Sequence, residues 1–240
     1  MGTYLIARRE LVSYLMSATG WLILGVVLLA QGLLFNAVAM AGDKKSFDVL
    51  QLFFYFSSGT TMVASIFISM RLFAEEKQLG TLVLLETSPV PEWQNVVGKW
   101  LGGWAFLLLL LVLSMYMPLL VLVNGKITIG HLFAGYLGLA LLGAACVAIG
   151  TLASSLASSQ VLAAVIAGGG IVALILAWML ARKIEGTLGD VVGYLDLFDK
   201  HYRSFSRGTV KLGSVVYYLS LTYAALLATT AVLGSRRWRG

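Results

Sequence analysis

Between Arg71 and Trp100 the chain reads RLFAEEKQLGTLVLLETSPVPEWQNVVGKW, with seven charged residues between apolar runs. These residue types suit docking rather than bond-making: Glu75, Glu76 and Lys77 can set register against a complementary surface, and Phe73, Leu79, Leu82 and Val83 can fill a groove. Read as a helix over about 73 to 86 and stopped by Pro89 and Pro91, the stretch puts those two sets on opposite sides. It is then a short amphipathic element projecting from a membrane face, either as a docking element or as an ordinary interfacial loop helix.

A second set is hydroxylic. Ser57, Ser58, Thr61, Ser65 and Ser69 fall within about 120° of one another at 100° per residue on a helix. Such a stripe can line a polar pathway, face a second copy, or hydrogen-bond across a tight helix pair at about 0.6 kcal/mol each.

Covalent chemistry finds little support. No G-x-x-x-x-G-K-[ST] phosphate loop occurs, so ATP hydrolysis would belong to another chain and this one is not an ATPase. There is no G-x-S-x-G, and neither His131 nor His201 sits mid-span, where an intramembrane serine protease needs its base. Two histidines and the single cysteine, Cys146, make neither a metal site nor a disulfide framework. No cofactor is expected on this chain.

The elements that position these residues follow from composition. Of 240 residues, 59% are hydrophobic and only 12% charged, with a mean hydropathy of +0.89. That is too little charge to cover an aqueous surface, and a bilayer takes the place of the missing polar shell. The length holds roughly six crossings and no sizeable soluble domain, hence an all-α integral membrane fold in one transmembrane domain. Runs such as Leu107 to Leu113 are apolar on every side, which excludes a barrel with alternating strands. Spans are expected at about 21–39, 50–72, 98–123, 130–153, 160–181 and 214–233, each long enough for about 30 Å of hydrocarbon.

Residues 1–18 are expected to form an amphipathic helix lying in the interface, with Tyr4, Leu11, Val12 and Leu15 opposite Arg9, Glu10 and Ser13. The segment 182–213 mixes Asp190, Asp196, Asp199, Lys200, His201, Arg203 and Arg207 with apolar residues, and reads as a re-entrant hairpin or a plain interfacial loop. Gly98 and Gly102, with Gly135, Gly138, Ala145 and Ala153, permit close helix approach, and the Gly168–Gly170 triplet marks a bend in the fifth span. The net charge of +6 is spread in short clusters at the ends of apolar runs, which indicates membrane anchoring and not nucleic-acid binding. With the N-terminus inside, the inner side carries eight of the 17 basic residues, so charge counting leaves orientation tied.

The run from Arg71 to Trp100 closely resembles the segment after the second span of ABC-2 type transporter permeases, especially the GldF-like branch of gliding motility. The resemblance extends through RREL at Arg8–Leu11, GYLGLALLGAACVAIGTLASSL at Gly135–Leu156 and FSRGTVKLGSVVYYLS at Phe205–Ser220. Val83 departs from it, standing where the family often has an acidic residue. The resemblance implies a six-helix permease subunit in the bacterial cytoplasmic membrane, with both termini cytoplasmic. It would work as a pair, with itself or a similar permease, and be coupled to two ATPase subunits that carry ATP and Mg. A GldG-like auxiliary membrane protein is a further implied partner. The segment 73–91 would contain the coupling helix that meets the ATPase, with Arg71, Glu75, Glu76, Lys77, Gly80, Thr81 and Pro89 as its contact or orienting residues. The implied function is export of an unidentified substrate, or transmission of force to an extracytoplasmic partner. The alternative is a six-span channel or structural membrane subunit without ATPase coupling.

Overall fold

The computed structural model describes residues 2–39, 45–81, 91–124, 128–183 and 193–237. In order these form α1 (Gly2–Met16), α2 (Ala18–Leu34), a π-helical turn (Phe35–Ala39), α3 (Ser46–Ser69) and α4 (Ala74–Gln78). After them come α5 (Glu92–Ser114), α6 (Tyr116–Asn124), α7 (Ile129–Leu156), α8 (Gln160–Ala181), a second π-helical turn (Phe198–Tyr202), α9 (Arg203–Ser206) and α10 (Leu212–Arg237). No strand occurs among the described residues. Among the described residues, six helical stretches are long and apolar enough to cross a bilayer: Ala18–Ala37, Ser46–Gln78, Glu92–Val123, Ile129–Leu156, Gln160–Met179 and Leu212–Ser235.

The bundle is built around α7, which packs against α3, α5, α8 and α10. Its small residues explain that centrality. A Cβ at Gly138 would lie 2.5 Å from Phe205 Cβ, and one at Gly135 would enter the ring of Phe54, so these neighbours sit directly on the α7 backbone. From α5, the parallel indoles of Trp100 and Trp104 donate to the carbonyls of Ala144 and Ala140, each at 3.0 Å. The two tryptophans and their two acceptors are each one helical turn apart, so the bonds fix the register of α5 on α7.

One expectation is corrected by local geometry. The helix anticipated over 73–86 ends at Gln78. Gly80 stands at φ +70°, Thr81 N–H donates to Glu76 O at 2.9 Å, and Gly80 N–H donates to Lys77 O at 3.2 Å. This is a left-handed glycine stop, which acts before either proline is reached. As a result Phe73 is fully buried while Leu79 is exposed, and the two share no face. The helix α8 runs through Gly168–Gly170 without interruption. The helix α1 packs through Thr3, Ile6, Ala7 and Glu10 against Gly98 and Gly102 of α5, with Tyr4 and Val12 exposed.

Part of the 182–213 segment is described, and it folds into the bundle. Tyr202 and Phe205 are fully buried, and Tyr202 donates to Phe54 O of α3 at 2.9 Å. The buried carboxylate of Asp196 accepts from the amides of Phe198 and Lys200 at 3.1 and 2.9 Å, which orders the π-helical turn. Residues 184–192 of that segment lie outside the described residues.

Candidate functional site

The charged residues that the sequence spreads over four elements converge at one end of the bundle, around Lys99. This lysine sits in the first half of α5, its side chain only 2% exposed. Its ammonium uses all three protons: Glu10 Oε1 of α1 at 3.0 Å, Glu76 Oε1 of α4 at 2.8 Å and the Leu72 carbonyl at 2.7 Å. Its charge also lies 5.3 Å from the centre of the Phe73 ring. Arg9, largely exposed, approaches the same two carboxylates from solvent at 3.7 Å to Glu10 and 3.5 Å to Glu76. A lysine this deep is tolerated because two carboxylates and a carbonyl replace its water shell.

Arg71 forms the adjoining group. Its guanidinium takes Glu75 in a fork, Nε to Oε2 at 2.7 Å and Nη2 to Oε1 at 3.3 Å. Its other nitrogen reaches Ser17 Oγ at 3.0 Å and Thr19 Oγ1, at the joint between α1 and α2. Ser17 is also the N-cap of α2, accepting from Gly20 N–H at 3.3 Å. Beside it the buried Tyr14 hydroxyl donates to Ile68 O at 2.7 Å, and burial pushes that hydroxyl well above its ordinary pKa. Arg9, Arg71 and Lys99 are thus ion-paired with Glu10, Glu75 and Glu76.

The third side is supplied by the turn from α7 into α8. Ser154 Oγ accepts from the amides of Phe73 and Ala74 at 3.0 and 2.9 Å and donates to Met70 O at 3.1 Å. The helix α4 is therefore capped from a residue 80 positions away in sequence. Lys77 Nζ closes the circle by donating to the carbonyls of Ser155 and of Ala157, the latter at 2.8 Å. A cation on the last carbonyls of α7 is favoured by the helix dipole as well as by the hydrogen bonds.

The seven anticipated coupling residues thus divide. Arg71, Glu75, Glu76 and Lys77 meet here, and each is engaged within this chain; Gly80 and Thr81 form the stop that ends α4; Pro89 lies outside the described residues. Lys99 and Ser154 are not singled out by sequence reasoning. The available signal was a lysine set between Gly98 and Gly102 at the head of an apolar run, where nothing but a buried counter-charge would keep it.

The hydroxyl stripe of α3 lies elsewhere and is interior. Ser57, Ser58, Thr61, Ser65 and Ser69 are all at most 1% exposed. Gln31 of α2 donates to Ser57 Oγ at 2.5 Å, Ser65 donates to Thr61 O at 2.8 Å, and Ser69 stands over Gly150 of α7. Within this chain the stripe is a packing seam between α2, α3 and α7 rather than a face turned outward.

An all-helical bundle with six membrane-crossing helices, and a short charged helix held between the second and third, is the architecture against which comparison with known proteins can be set. The sequence pattern of the ABC-2 family transporter proteins matches residues 4–235. The chain belongs to that family. None of the curated proteins compared with the chain matches it. Membership makes this ABC-2 protein a membrane permease subunit of an ABC transporter, working with an ABC ATPase subunit.

Proposed function

We propose that α4, with the segment that follows it, is the element through which the ATPase drives this ABC-2 permease, and that the Lys99 network carries its movement into the bundle. The observation that carries this reading is the burial of Lys99 between Glu10 of α1 and Glu76 of α4. A helix of five residues cannot hold its own shape in water, so α4 keeps its conformation only through these tertiary bonds. Any force on α4 must then reach α1 and α5 through Lys99, the joint of α1 and α2 through Arg71, and the turn between α7 and α8 through Ser154 and Lys77. The inward use of Glu75, Glu76 and Lys77 makes them transmitting residues, and leaves the exposed Leu79 and Gly80 for contact with the ATPase.

In this reading the charged end is cytoplasmic and both termini lie on that side. The permease acts as a pair, this chain carries no ATP or Mg, and export of an unidentified cargo or force on an extracytoplasmic partner is the output. The likeness of RLFAEEK and its continuation to GldF-like permeases supports that branch and a GldG-like auxiliary partner. The test is disulfide trapping in membranes holding the full transporter. Leu79→Cys should cross-link to a cysteine placed in the ATPase, whereas Val123→Cys at the far end of the bundle should not; cross-linking at Val123 with none at Leu79 would overturn the assignment.

A further inference from the structure

Two cavities at the side of the bundle share a wall and differ in character. One is a groove of about 570 Å³ between α2 and α3, lined by residues such as Leu22, Val26, Leu34, Val63 and Phe67. The other, of about 800 Å³, is lined by Asp48, Gln51, Trp178, Asp199, Arg203 and Ser206. Tyr55, Ile175 and Phe198 line both, so the apolar groove leads directly into the polar pocket. The pocket lies at the end of the bundle opposite Lys99. It takes the first turns of α3 and the last of α8, while the other ends of those helices meet α4 and the turn at Ala157.

We infer that the pair of cavities is one binding site for a phospholipid with an aminoalkyl-phosphate headgroup, its acyl chain in the groove and its headgroup in the pocket. The groove runs along α2 from Leu22 to Leu34, about 18 Å at 1.5 Å per residue. Its length therefore suits one extended acyl chain. The pocket carries both signs of charge. Asp48 has no ion-pair partner among the described residues, whereas Arg203 is held by Asp199 only loosely, at 3.6 Å with both side chains about half exposed. An ammonium is matched by Asp48 and a phosphate by the guanidinium of Arg203. Trp178, whose face already carries the Arg182 guanidinium at 4.6 Å, gives the amphipathic wall found where a headgroup meets hydrocarbon. A protein helix from a second copy would fill the groove but leave Asp48 and Arg203 unanswered. Neither cavity includes a residue of the Lys99 network, so this inference and the coupling reading stand or fall separately.

The experiment is native mass spectrometry of the full-length chain in mild detergent, with equal amounts of dioleoyl phosphatidylethanolamine, dioleoyl phosphatidylglycerol and dioleoylglycerol. The wild type should retain phosphatidylethanolamine at least ten-fold over the other two. Asp48→Asn should bring phosphatidylethanolamine down to phosphatidylglycerol, and Arg203→Ala should bring both phospholipids down to dioleoylglycerol. Both side chains are solvent-exposed, so these variants leave the packed bundle intact. Gly59→Phe should lose all three lipids; a Cβ at Gly59 meets nothing within 4 Å, so the ring enters the groove without disturbing the helix. Equal retention of the three lipids by the wild type, or a preference untouched by Asp48→Asn and Arg203→Ala, would overturn the inference. So would a Val26→Cys disulfide joining two copies in native membranes, since a second copy would then occupy the groove.

Discussion

Lys99 and Ser154 do different work at the same joint. The lysine supplies charge to two carboxylates that have left water, and removing one member of such a buried group costs about 3–5 kcal/mol because the remainder stays buried and unmatched. Lys99→Met should accordingly lower stability by an amount of that order, read as an earlier midpoint in detergent-denaturant titration, while Arg8→Met, at an exposed position on α1, should leave the midpoint where it was. Ser154 supplies a cap, and its loss costs about 1–2 kcal/mol. Ser154→Ala should speed hydrogen exchange at Phe73 and Ala74 by roughly ten-fold, since about 1.4 kcal/mol of opening free energy is a factor of ten. Unchanged protection at those two amides would show that the cap does not hold α4.

At the scale of elements, the approach of α1 to α5 decides whether Glu10 reaches Lys99. A Cβ at Gly102 would come within 2.6 Å of Glu10 Cβ and 2.9 Å of the Ala7 carbonyl, so Gly102→Ala should push α1 away and weaken the network, whereas Gly25→Ala meets open space and should be silent. A fluorescence or spin label on α1 reads the difference as increased mobility in the first variant only. The far end of the bundle has its own sensitivity. His201 is stacked on Tyr217 at 3.9 Å and set 3.0 Å from the Tyr194 carbonyl, and burial lowers its pKa below the usual value of about 6.5. The unfolded chain therefore takes up a proton more readily than the folded one, so stability should fall as pH drops below about 6.5, and His201→Asn should flatten that decline in a melting series from pH 8 to pH 5.

For the whole molecule, the six crossing helices were legible in the sequence because a membrane span is a property of apolar bulk, which composition carries directly. The charged segment after the second span was legible as the place of interest. Its internal geometry was not. Helical periodicity placed Phe73 and Leu79 together, but the Gly80 stop and the Ser154 cap are bonds between residues far apart in sequence or specified by backbone conformation. The α3 hydroxyls were equally visible, yet whether a polar stripe faces a conduit or a neighbour depends on what packs over it, here Gly150 and Gln31. Lys99 looked like one more basic residue at a membrane edge until the fold brought Glu10 and Glu76 to it.

These scales meet in a single claim, that α4 moves the bundle through the Lys99 network. A double-mutant cycle on Lys99→Met and Glu76→Gln, measured as stimulation of the partner ATPase in proteoliposomes, tests it most directly. If the two residues act as one link, each single variant should lose at least ten-fold of the stimulation, and the double variant should lose no more than the worse single. Full stimulation by Lys99→Met, or losses that simply multiply in the double variant, would contradict it.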